Sequence, residues 1–118
     1  MHELSLAAAI VRIAAEHAGG RRVTAVDVRV GHLRQVVPSA LELSFRLVAE
    51  GTPAEGAELR IEHVPVRVAC RPCEIESAVD DLPLTCPACG TSAVELVAGE
   101  ELYVESLELE EEPLAARR

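Results

Sequence analysis

The sequence predicts an α+β protein: two helices on a small three-stranded sheet, with an inserted four-cysteine zinc-ribbon lobe. Three observations predict it. Two stretches carry apolar residues at spacings of three and four, as amphipathic helices do. Other stretches alternate apolar and polar residues, as half-buried strands do. The four cysteines form two pairs, Cys70-Arg71-Pro72-Cys73 and Cys86-Pro87-Ala88-Cys89, separated by residues 74–85.

The first helix is expected over residues 4–18. Leu6, Ile10, Ile13 and His17 share a face with Ala9 and Ala14, and Gly19-Gly20 stops the helix. Arg22 to Val30 then alternates, with Val26, Val28 and Val30 on one side and Asp27 and Arg29 on the other. Pro38 suits the first turn of a second helix, where its missing N–H costs nothing. Leu41, Phe45 and Val48 continue that helix, and Gly51 closes it. Glu58 to His63 alternates again. Pro65 interrupts that strand and marks an edge or an exit from the domain. Residues 69–92 hold both cysteine pairs and few core formers, so this lobe should fold around its metal. Glu74 to Thr85 between the pairs reads as a loop. Val94 to Val97 and Leu102 to Leu109 read as strands, and Glu110-Glu111-Glu112-Pro113 as an acidic tail. The expected organisation is therefore a domain of residues 1–66 and 95–112, an inserted zinc-binding domain of residues 67–94, and a flexible tail of residues 113–118.

Composition narrows the function. The chain has 118 residues, 49% of them hydrophobic but only 2% aromatic, so the core must be aliphatic. A net charge of −9 argues against a nucleic-acid surface, which needs basic residues to replace counterions. The scarcity of stacking aromatics argues the same way. No apolar run reaches the length of a membrane span, and no basic leader precedes the first helix. Four thiols without a secretory signal fit a reducing compartment, and the expected location is the cytoplasm.

A Cys-x-x-Cys turn aims two thiolates at one point, and two such turns supply a closed tetrahedral zinc site. The competing readings are a pair of disulfides or a redox Cys-x-x-Cys. With Cys70, Cys73, Cys86 and Cys89 all bound, zinc has no open position and is structural. The amino terminus offers a second site. The Met1 amine, the amide nitrogen of His2 and its imidazole can close adjacent chelate rings around Ni(II) or Cu(II), and the amide or carboxylate of Glu3 can add a donor. A histidine at position 2 also arises by chance. His17 reads as a core or rim residue, His32 as a solvated turn residue, and His63 as a structural residue near the lobe. No nucleophile–base pair and no phosphate-binding glycine loop is present, so the chain is not expected to be an enzyme.

Met1-His2-Glu3-Leu4-Ser5-Leu6 resembles the opening of the HypA/HybF family of hydrogenase-maturation nickel metallochaperones. Val30-Gly31-His32-Leu33 with Val36-Val37-Pro38, Leu41 and Phe45 is similar to that family's strand–turn–helix segment. Gly56-Ala57-Glu58-Leu59, both cysteine turns, Gly99-x-Glu101-Leu102 and Glu105-Ser106-Leu107-Glu108-Leu109 follow in family order. Leu43 stands where an aromatic is common, and Glu100 where a basic residue is frequent. The resemblance implies that His2 is the nickel ligand, supported by Met1 and Glu3, and that Cys70, Cys73, Cys86 and Cys89 hold zinc. It implies a HypB-type GTPase partner and delivery of nickel to the large subunit of a [NiFe]-hydrogenase, with urease a further recipient in some organisms. It leaves the oligomeric state open, a homodimer included. The alternative function is a zinc-ribbon interaction module with no transported metal.

Overall fold

A computed structural model of the chain describes residues 3–80 and 82–113. The elements are α1 (Glu3–Glu16), β1 (Arg21–Gly31), a 3₁₀ turn (His32–Arg34), α2 (Pro38–Ala49), β2 (Glu58–Val64), β3 (Val66–Cys70), β4 (Ile75–Val79), β5 (Val94–Ala98) and β6 (Leu102–Pro113). The strands form two three-stranded sheets, ordered β2-β1-β6 and β4-β3-β5. The chain divides into two compact units. One takes the residues up to Arg29, Val36–Glu62 and those from Tyr103 on; the other takes Val30–Gln35 and His63–Leu102.

In the first unit, α1 packs on α2. The buried side of α1 is Ala7, Ile10, Val11 and Ala14. It is therefore turned from the face predicted through Leu6, Ile13 and His17, which are only partly buried or exposed. Small residues at 7 and 14 let the helices approach closely, so packing selects that stripe over the bulkier one. Pro38 opens α2, as its φ preference allows. Leu41, Phe45 and Ala49 of α2 are fully buried. With Val23, Ala25, Val26 and Val28 of β1 they make an aliphatic core around one phenyl ring.

β1 is the central strand, and its alternation of Val26 and Val28 with Asp27 and Arg29 is as predicted. The partners of β1 are fixed by side chains as well as by the ladder. Arg60 of β2 makes a two-pronged bond to Asp27, at 2.8 and 3.1 Å, and Arg29 faces Glu62 at 3.6 Å. These contacts advance together along both strands, so β1 and β2 run parallel, joined across α2. On the other side, Ser106 bonds Asp27 and the Thr24 hydroxyl donates to the Glu108 carbonyl, so β6 runs antiparallel to β1. Glu110–Pro113, expected as an acidic tail, instead belongs to β6. Pairing with β1 extends the strand where the acidic composition suggested a solvated end. Residues 114–118 of the expected tail lie outside the described residues.

In the second unit, β3 is central and antiparallel to both neighbours, with Cys70 opposite Ile75 on β4 and Val94 on β5. The loop expected over residues 74–85 is thus partly strand. Glu74 adopts a left-handed backbone (φ 54°) directly after the first cysteine turn and folds Ile75–Val79 back onto β3. Non-local hydrogen bonds create β4, and the sequence Ile-Glu-Ser-Ala-Val carries little pattern of its own. Gly31 is required sterically: a methyl there would overlap the Gly99 carbonyl and the Glu100 nitrogen. The same crossing is held by the Gly31 N–H to Glu101 and the Leu33 N–H to Gly99.

Candidate metal centre

Each cysteine pair is delivered by a turn. Cys70 is the last residue of β3, and Cys73 lies in the turn to β4, where the Glu74 N–H donates to the Arg71 carbonyl at 3.2 Å. In the second turn, the Gly90 N–H donates to the Cys86 carbonyl at 2.7 Å, and the Cys86 N–H to the Thr91 carbonyl at 2.9 Å. Gly90 has φ 76°, which glycine adopts without a Cβ penalty.

The four sulfurs lie within 4.8 Å of one another. Cys70 Sγ is 3.7 Å from Cys89 Sγ, and Cys86 Sγ is 4.0 Å from Cys73 Sγ. Neither separation approaches the ~2 Å of a disulfide, and all four thiols are free. A tetrahedron with metal–sulfur bonds of about 2.3 Å has edges of about 3.8 Å, so the cluster has the dimensions of a four-thiolate site. Cys70 and Cys86 are buried, Cys73 is half-buried and Cys89 is exposed. The residue types and spacing predicted from the sequence therefore converge in space.

The turns also set the charge on the sulfurs. The backbone N–H of Cys89, aided by that of Ala88, outweighs burial and draws the Cys86 thiol down to about 7. Cys73 is pushed up to about 12, first by its contact with the Cys89 sulfur, then by that with Cys70 and by burial. For Cys70, the N–H of Cys73 favours the thiolate, but burial and the sulfurs of Cys89 and Cys86 leave the thiol raised. Four crowded sulfurs cannot all ionise without a cation between them, and a bound metal supplies that charge.

Of the amino-terminal residues, Met1 and His2 lie outside the described residues. Glu3 opens α1, and its carboxylate accepts the backbone N–H of Val37 at 3.2 Å. Val37 is the N-cap of α2 and has no side-chain cap of its own, so Glu3 links the starts of the two helices. No local pattern signals this contact, because its two ends are far apart in the chain. His17 is an exposed rim residue whose Nδ1 lies 2.8 Å from the Ile13 carbonyl. No helix among the described residues is long and apolar enough to cross a membrane.

Fold and site define a small metal-binding protein with one unit built around a cysteine cage. The family model for hydrogenase/urease nickel incorporation, the metallochaperone HypA, matches residues 1–109. The hydrogenase maturation factors HypA of Geotalea uraniireducens and Geobacter metallireducens are 44% and 46% identical to the chain over 110 residues, covering 93% of it and 100% of theirs. The solution structure of the Ni metallochaperone HypA from Helicobacter pylori is similar in fold, with a TM-score of 0.66 at 24% identity, over 92% of this chain and 97% of that one. The chain belongs to the HypA family of nickel-incorporation metallochaperones.

Proposed function

We propose that the chain carries Ni(II) on its amino terminus, with His2 as the principal ligand and the Met1 amine and Glu3 completing or supporting the site. The observation that carries this reading is the family match, which spans Met1-His2-Glu3 and both cysteine turns. The terminal amine and the imidazole bind only after losing protons, so nickel is held more weakly as pH falls. Ligands at a chain end reach an acceptor readily and share the ion with it during transfer. Zn(II) occupies Cys70, Cys73, Cys86 and Cys89 and is structural. It stays in place because four thiolates enclose it with no position left for exchange.

In this reading the chain performs no catalysis itself. It works in the cytoplasm with a HypB-type GTPase, which supplies nucleotide hydrolysis, and passes nickel to the large subunit of a [NiFe]-hydrogenase, with urease as a further acceptor. Metal analysis of untagged wild-type and His2→Ala protein tests it. The variant should lose nickel and keep zinc. Unchanged nickel stoichiometry in the variant, or unchanged nickel affinity after acetylation of the terminal amine, would overturn the assignment.

A further inference from the structure

Two histidines remote in sequence meet in the second unit. The rings of His32 and His63 lie edge to face, with centres 5.3 Å apart and planes at 83°. His32 sits on the 3₁₀ turn and is partly buried; His63 is exposed near the end of β2. Among the described residues, neither ring has a side-chain hydrogen-bond or ion-pair partner. We propose that His32 and His63 together form a two-imidazole site for a borderline divalent transition metal ion such as Ni(II), Cu(II) or Zn(II).

Three features support the site. The first is distance. A metal bound at about 2.1 Å to one nitrogen of each ring, at a near-tetrahedral angle, holds the ring centres about 5 Å apart. Because the rings meet edge to face, the nitrogens of the face-on ring point away from the other ring. Sharing an ion therefore takes a turn of one side chain, which the exposure of His63 allows. The second is backbone rigidity. The turn bearing His32 is fastened by the Gly31 N–H to Glu101, the Leu33 N–H to Gly99 and the Arg34 Nε to Glu100, at 2.7, 2.9 and 2.7 Å. His63 stands on a strand. Ligands on fixed backbone lose little conformational freedom on binding. The third is chemistry. Neutral imidazole suits this class of ion, and the acidic chain, at −9, attracts cations. With two protein ligands, one of them on the exposed His63, an ion there would complete its coordination with water and exchange readily. Its ligands are shared with neither the cysteine cage nor the amino terminus.

The test uses the full chain carrying His2→Ala, with zinc already loaded on the cysteines, so that neither other site contributes. Ni(II) is titrated while the ring resonances of His17, His32 and His63 are followed by NMR. Paramagnetic broadening should take His32 and His63 along one common saturation curve while His17 remains sharp. Adding His32→Ala should move the midpoint for His63 at least tenfold to higher nickel, and His63→Ala should do the same for His32. Independent curves, midpoints unmoved by the second substitution, or His17 broadening in step would reduce the pair to a packing contact. Should a ring-deleting variant fail to fold, His32→Gln and His63→Gln, which keep a polar side chain of similar size, carry the same midpoint comparison.

Discussion

The Glu3 carboxylate accepts a hydrogen bond from the backbone N–H of Val37, at 3.2 Å. One acid thereby sits at the electropositive start of α1 and caps the start of α2, where no side chain of that helix does so. Glu3→Gln retains an acceptor and should leave stability near the wild-type value. Glu3→Ala removes it and should cost about 1 kcal/mol in urea unfolding. Equal losses in both variants would show that charge, not the hydrogen bond, is what matters.

Asp27 supplies a pH dependence. Its hydrogen bonds from Arg60, then from Ser106, hold its carboxyl below the ordinary value against a small opposing effect of burial. The folded pKa is thus lower than the unfolded one. The stabilisation is complete above the unfolded value of about 4 and is lost as pH falls through the folded value. Asp27→Asn should be less stable than wild type at pH 7. The gap between their urea midpoints should shrink steadily below about pH 4. A gap that stays constant down to pH 2 would contradict this role.

Glu74 and Gly90 occupy the same place after their cysteine turns, and both are left-handed, at φ 54° and 76°. Only one is glycine. Relief of a left-handed side chain, about 1–2 kcal/mol, exceeds the added freedom of the unfolded chain, so Glu74→Gly should stabilise the metal-loaded protein by up to about 1 kcal/mol. A Cβ at Gly90 meets no atom within 4 Å, so Gly90→Ala carries backbone strain alone. It should cost about 1–2 kcal/mol. Opposite shifts in thermal midpoint are expected, and shifts of the same sign would show that the turns are not equivalent.

Metal removal exposes the thiol chemistry. With Cys73 pushed up to about 12 and Cys70 also raised, these two metal-free sulfurs carry protons at neutral pH, and Cys86, drawn down to about 7, does so in part. Zinc binding at pH 7 should therefore release at least about two protons per ion, and affinity should fall as pH falls. Calorimetry in buffers of different ionisation enthalpy counts them. Release of one proton or fewer would mean that the sulfurs are already ionised or do not all bind.

The cysteine site was legible because a Cys-x-x-Cys turn is local. Its geometry is set within a few residues, and the pairs needed only to be brought together. The helices were legible for the same reason, as was the alternation of β1. The buried side of α1 was less so: periodicity allows several neighbouring stripes, and the small Ala7 and Ala14 were chosen by contact with α2. β4 was missed, since a strand of mixed polarity is stabilised mainly by its neighbour, and β3 lies next to it only after Glu74 reverses the chain.

The amino-acid order by itself determined what chemistry is present: four sulfurs in two turns, a histidine at position 2, an acidic chain and an aliphatic core. Tertiary structure alone decided which distant groups meet. Glu3 reaches Val37, Arg60 clasps Asp27, and His32 stands against His63. Spacing along the chain fixes geometry over one turn of helix or one tight loop. Beyond that, position depends on strand pairing and packing between segments far apart in sequence, and no local pattern encodes it.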